Sequence, residues 1–207
     1  MTTQLLYKYR PLENWKFVLD IFLNKRVYAA PFHTLNDPME GRFFYFSAPV
    51  ALSAKRAIYQ SKLRHNICSF STTKRNTLLW SYYADGHKGI AIGVRISPVV
   101  LRRIKIKEMT YDSGIYIGRD ALRHSPDQLA LDVLTQKQLP WAHEKEVRAF
   151  SPDHFIPISI SEVVLGCMIE PANEALVRKI VSRWHPSTRV TKLRREMLDN
   201  PDALGIE

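Results

Sequence analysis

Cysteine is scarce in this chain: 207 residues contain two, Cys68 and Cys167, each in an apolar, strand-like context. They read as buried thiols rather than as a disulfide, and no companion ligands at metal-binding spacing surround them. Neither a disulfide scaffold nor a zinc or redox role is expected. No apolar run approaches the roughly 20 residues that cross a bilayer, and no basic stretch leading into an apolar one opens the chain. The expectation is a soluble, cytoplasmic protein with no membrane partner. Glycine is sparse, with 8 residues, and none builds a glycine-rich loop that would cradle phosphates. Acidic residues are also short: 20 Asp and Glu face 30 Lys and Arg, a formal net charge of +10.

That charge suits a protein that meets nucleic acid, nucleotides or other polyanions. The basic residues are spread, with local clusters at 102–107 and 189–195. Each cluster also reads as a solvated helix end or an edge strand, where Lys and Arg discourage sheet-to-sheet association.

What is present is a globular composition, 45% hydrophobic and 11% aromatic, long enough for one domain with a full core. Trp15, Val18, Leu19 and Phe22 stand at helical spacing and predict an amphipathic helix over 12–24. Helical patterns recur at 49–65, around Trp80, at 119–139 with a break near Pro126, and at 173–184. Strand patterns fall at 26–30, 66–71, 89–96, 104–111, 146–150, 155–160, 163–169 and 189–193. Helices interleave irregularly with strands, which argues against a βαβ repeat. The fold class is α+β: a single domain over 1–198 with a mostly antiparallel or mixed sheet and flanking helices, and a loose tail over 199–207.

The densest motif is Leu78-Leu79-Trp80-Ser81-Tyr82-Tyr83-Ala84-Asp85-Gly86-His87-Lys88-Gly89. A short helix, a turn at Asp85-Gly86 and a buried strand explain part of it, but its aromatic, acidic and imidazole groups exceed what plain packing needs. It is preceded by Tyr7-Lys8-Tyr9-Arg10-Pro11, Leu35-Asn36-Asp37-Pro38-Met39-Glu40 and Cys68-Ser69-Phe70-Ser71. Trp141-Ala142-His143-Glu144-Lys145-Glu146-Val147-Arg148 follows it. In this order the segments resemble the mainly bacterial family known as domain of unknown function 2971, over roughly residues 5–195. The resemblance names a family and no reaction.

Three of these segments also resemble an ADP-ribosyltransferase site of the arginine-serine-glutamate kind, with an ADP-ribosyltransferase-like fold as the corollary. Arg10 lies in an early strand, Phe70-Ser71-Thr72-Thr73 ends a middle strand, and Glu144-Lys145-Glu146 leads into a late one. Cleaving the nicotinamide-ribose bond of NAD passes through a cationic sugar, which a carboxylate stabilises. Glu146 takes that role, and Glu144, two residues away on the same face of an extended strand, positions the acceptor. Arg10 holds a diphosphate or ribose oxygen through its forked guanidinium. Ser71 and Thr72 shape the nicotinamide pocket and orient Glu146, Trp80 or Tyr82 stacks on a flat ring, and His87 approaches the ligand. The acceptor is a protein or a nucleic acid.

Plainer readings stand beside these. Arg10 pairs with a structural acid such as Glu146, and Glu144, Glu146 and Arg148 alternate along a solvent-facing strand. Ser71 to Thr73 only caps the next helix, and His87 ties a neighbouring group into the core. Asn36, Asp37 and Glu40 form an Asx-type turn, or offer two carboxylates and an amide to a cation. Two rival functions follow. One is a nucleic-acid-binding or processing protein in which Asp37, Glu40, Glu144 or Glu146 gather a divalent metal. The other is a non-catalytic interaction module.

Overall fold

The computed structural model describes residues 4–35, 41, 44–45, 52–112, 116–117 and 124–194. Asn36, Asp37, Glu40 and the segment 199–207 lie outside the described residues. Along the chain come β1 (Leu6–Arg10), α1 (Trp15–Asn24), β2 (Arg26–Tyr28), β3 (Ala30–Pro31) and β4 (Phe44–Tyr45). There follow α2 (Leu52–Leu63), β5 (Asn66–Ser71), α3 (Thr77–Tyr83), β6 (Ile90–Arg95) and α4 (Pro98–Leu101). Next are β7 (Lys105–Glu108), β8 (Thr110–Asp112), β9 (Tyr116–Ile117), α5 (Pro126–Leu134) and β10 (Gln136–Gln138). A 3-10 helix at Leu139–Glu144 leads to β11 (Glu146–Ser151), β12 (Phe155–Pro157), β13 (Ser159–Leu165), α6 (Pro171–Trp184) and β14 (Arg189–Lys192). The class is α+β, and most strand pairs are antiparallel.

Two compact units, each assembled from separate stretches, make up the chain. Unit 1 comprises Met1–Val27, Phe70–Arg102 and Ile156–Glu207; unit 2 comprises Tyr28–Ser69 and Arg103–Phe155.

In unit 1 the strand order is β14-β13-β6-β1, with β13 and β14 parallel and the other pairs antiparallel. Tyr7 of β1 stands opposite Ser71 at the end of β5. Ile90, Ile92, Val94, Val163 and Leu165 are buried. Helix α1 buries Val18, Ile21 and Phe22, and His185, just past α6, brings Nε2 to 2.7 Å from the Phe22 carbonyl oxygen. A separate apolar cluster joins Tyr7, Tyr9, Ala91, Val164 and Leu193 to Leu79, Trp80 and Ala84. Helix α3 starts at Asn76, whose Oδ1 accepts from the Leu78 and Leu79 amides, satisfying N–H groups that the first turn leaves without partners. Past Ala84, Asp85, Gly86 and His87 take φ values of 48, 55 and 69°, a left-handed run that reverses the chain into β6. Gly89 is required there, because a Cβ would strike the carbonyl oxygens of Arg10 and Ala84.

Unit 2 pairs β3 antiparallel with β5, sets β11 between β5 and β7, and pairs β8 in parallel with β10. Its core joins Phe32, Ile67, Leu131, Leu134 and Phe150. Strand β11 is buried along its whole length, which corrects the solvent-facing reading of Glu146 and Arg148. The polar run Gln136–Gln138, within the segment expected as helix, is a strand because β8 supplies its partners.

Candidate functional site

Unit 2 contains a buried cluster of four charges. Lys137 sits mid-strand in β10, opposite Tyr111 of β8. The 3-10 helix that follows ends at Glu144, and Lys145 takes a left-handed φ of 43° before β11 begins at Glu146. Glu144 is therefore the last residue of a helical turn rather than a strand position, which corrects the expected shared strand face. The kink brings both carboxylates onto one ammonium. Lys137 Nζ donates to Glu144 Oε2 at 2.6 Å and to Glu146 Oε2 at 3.1 Å, and it lies 4.9 Å from the centroid of the half-buried Trp141 ring.

Glu146 has further partners. Arg148 Nε donates to Oε1 at 2.7 Å and Arg148 Nη2 to Oε2 at 3.4 Å, and the Ser69 hydroxyl also hydrogen-bonds the carboxylate. The Glu146 amide donates to Tyr111 Oη at 2.8 Å. Arg148, 1% exposed, is anchored by Nη1 donating to the Leu134 carbonyl at 2.7 Å, at the C-terminal end of α5 where a cation is favoured. Burial pushes the Glu146 carboxyl up, but the Arg148 and Lys137 charges and the hydrogen bonds from Arg148 and Ser69 outweigh it and hold it at about 2. Glu146 is thus ionised at neutral pH. Burial pushes the Tyr111 phenol up, so that group stays neutral.

Unit 1 contains a second buried carboxylate, Glu162 on β13. Tyr7 Oη donates to its Oε1 at 2.5 Å, Lys74 Nζ to Oε1 at 2.9 Å, and Arg189 Nη2 to Oε2 at 3.0 Å. The β13 register shifts between Ile160 and Glu162, a bulge that re-aims the side chain. Gly93 on β6 leaves the room: a Cβ there would lie 2.8 Å from Glu162 Cγ and 3.3 Å from Tyr7 Cε1. Burial raises the Glu162 carboxyl, and hydrogen bonds from Tyr7, Lys74 and Arg189 bring it below the usual range.

The expected site residues are divided between the units. Glu144, Glu146 and Arg148 meet in unit 2; Arg10, Ser71, Thr72, Trp80, Tyr82 and His87 belong to unit 1. The serine that reaches Glu146 is Ser69, whereas Ser71 Oγ accepts from the Thr73 amide at 3.2 Å. The cation on Glu146 Oε1 is Arg148, not Arg10. Trp80, expected to stack on a ligand, is 0% exposed. Its Nε1 donates to the Lys74 carbonyl at 2.8 Å, and its ring meets Tyr9 edge-on at 5.1 Å. Tyr82 is 63% exposed. His87 stacks on Trp80 and brings Nε2 to 3.4 Å from Ser81 Oγ; burial lowers its pKa, so the ring is neutral.

No family model, curated protein or solved structure matches this chain. The family resemblance rests on the sequence motifs alone. Among the described residues no group of three or more His, Cys, Asp or Glu side chains could hold a metal ion, and no helix is long and apolar enough to cross a membrane. Both cysteines are free, Cys68 buried and Cys167 half-buried.

Sequence reasoning missed Lys137, Ser69, Glu162 and Lys74. Ser69 carried a signal, since it shares strand β5 with Ser71 two residues away and both face one side of it. Lys137 and Glu162 carried none, because a lone charge in a polar or apolar run does not reveal the distant partner that buries it.

Proposed function

We propose that this protein carries out ADP-ribosyl transfer from NAD, with Glu146 and Glu144 as its catalytic carboxylates. The observation that supports the reading is the convergence of Glu144 and Glu146 on one cation position, with Glu146 ionised and hydrogen-bonded by a serine from the neighbouring strand. Two carboxylates around one position, beside an indole face, form an electrostatic seat for positive charge. Glycosyl transfer from NAD develops such charge on the ribose. Glu146 would stabilise the sugar, Ser69 and Arg148 would hold the carboxylate in place, and Glu144 would take the acceptor's proton. The donor set thus fits the ribose end of NAD, although Lys137 must leave or share the seat. This reading rests on unit 2. Arg10, Ser71, Thr72, Tyr82 and His87 remain candidates for binding NAD within unit 1, and protein or nucleic acid remains the proposed external acceptor, in a bacterial family resembling domain of unknown function 2971.

A non-catalytic interaction module is the second reading, favoured by one observation: Arg148 and Lys137 together balance Glu144 and Glu146 in charge. Such a buried network also serves architecture alone.

Nicotinamide release from NAD separates the two. Glu146→Gln is expected to lower the release rate at least about a hundredfold. Ser69→Ala, which keeps every charge, should lower it about tenfold, equivalent to about 1.4 kcal/mol. Near-wild-type release in folded samples of both variants would remove Glu146 from the chemistry.

A further inference from the structure

We propose that the acceptor side of this site takes a primary amine, and that Lys137 is itself an acceptor, so that the protein ADP-ribosylates its own Lys137. The inference rests on the transferase reading above and names the acceptor chemistry of the same site.

Glu144 is the carboxylate assigned to the acceptor, and the group it holds is the Lys137 amine, at 2.6 Å. That is hydrogen-bond reach for proton transfer. The same nitrogen is 3.1 Å from Glu146 Oε2, beside the carboxylate that would stabilise the sugar. Charge balance alone does not require this placement. Arg148 already donates to both oxygens of Glu146, and Ser69 adds a third donor, so a second cation on Glu146 is surplus to its needs. The amine is 8% exposed and lies beside the half-buried Trp141 ring. It is shielded from bulk water, which would otherwise compete as the nucleophile.

The chemistry balances with NAD as the co-reactant. Glu144 removes one proton from the Lys137 ammonium. The freed Nζ lone pair forms a bond to ribose C1′ as the bond from C1′ to nicotinamide nitrogen breaks, its electron pair leaving on neutral nicotinamide. The proton held by Glu144 passes to solvent. The products are ADP-ribosyl-Lys137, nicotinamide and one proton, with no change of oxidation state.

The test incubates the intact protein with NAD labelled in its adenylate, measures nicotinamide release, and maps the label by peptide mass spectrometry. In parallel, Lys137→Ala is incubated with NAD and methylamine. Label on the peptide containing Lys137, fixed to that residue by fragmentation, together with ADP-ribosylated methylamine from the variant, is the expected result. Nicotinamide release with label on other residues, or on none, overturns the inference while leaving the transferase reading intact. Absence of nicotinamide release overturns that reading and the inference with it. Should Lys137→Ala not fold, the mapping of wild-type protein decides by itself.

Discussion

Glu162 and Glu146 are both buried acids, and both owe their charge to specific donors. At Glu162 the donors are Tyr7, Lys74 and Arg189. Tyr7→Phe removes one hydrogen bond to an ionised acceptor and should cost about 1.5–3 kcal/mol in urea unfolding; a loss below about 0.5 kcal/mol would mean that the tyrosine hydroxyl contributes little there. Glu146 presents the harder case. Replacing it leaves Arg148 buried against the Leu134 carbonyl with its carboxylate gone, the kind of change that costs about 3–5 kcal/mol. Loss of activity in Glu146→Gln is therefore to be read beside the milder Ser69→Ala. The aromatic fingerprint also resolves at this scale. Tyr9 and Trp80 supply hydrogen-bonding groups because each pins the loop between β5 and α3: Tyr9 Oη donates to the Thr73 carbonyl at 2.9 Å, and Trp80 Nε1 to that of Lys74. Their polar atoms hold Lys74 where it meets Glu162.

At the scale of elements, local pattern was legible where burial follows periodicity. Strand β5 falls on the expected bounds, β11 begins at Glu146 as expected, and α1 and α6 match their helical spacing. The misses share a cause. The sequence suggests a gap between strands at 160–163 because Glu162 reads as solvent-facing, yet β13 runs unbroken from Ser159 to Leu165 with a bulge. The run 104–111 divides into β7 and β8, which pair with different partners, β11 and β10. In each instance a tertiary partner, invisible to spacing, decides the outcome. The bulge in β13 and Gly93 in β6 act together, so Gly93→Ala should push Glu162 off its donors and cost about 1–3 kcal/mol. Thermal unfolding measures this, and an unchanged Tm would show that the side chain shifts without loss.

At the scale of the whole molecule, each unit encloses one acid cluster, and this sets the pH response. Both carboxyls titrate below the ordinary range in the folded state. Unfolded, they would take up protons near the usual glutamate value of about 4.3. The folded state then binds fewer protons, and stability rises with pH across the interval between the two values. The contribution of Glu146 is complete above about pH 5 and declines as pH falls toward about 2. His87, whose pKa burial lowers, acts in the same direction, because the unfolded chain binds its proton at a higher pH. Unfolding followed from pH 7 to pH 3 should show a steady loss of stability, smaller in Glu162→Gln; a flat profile would contradict the assigned ionisation states. The net charge of +10 belongs to this scale as well. Parts of it are paired, as in Arg103 with Asp153 and Lys107 with Asp132, so the total charge overstates the basic surface available to a polyanion.

The most direct test of the proposed chemistry is release of nicotinamide from NAD by the wild-type protein in the presence of a metal chelator. Glycosyl transfer at the Glu144 and Glu146 seat predicts saturable release that persists with the chelator. No release at any NAD concentration would contradict it and return the four buried charges to a purely architectural role.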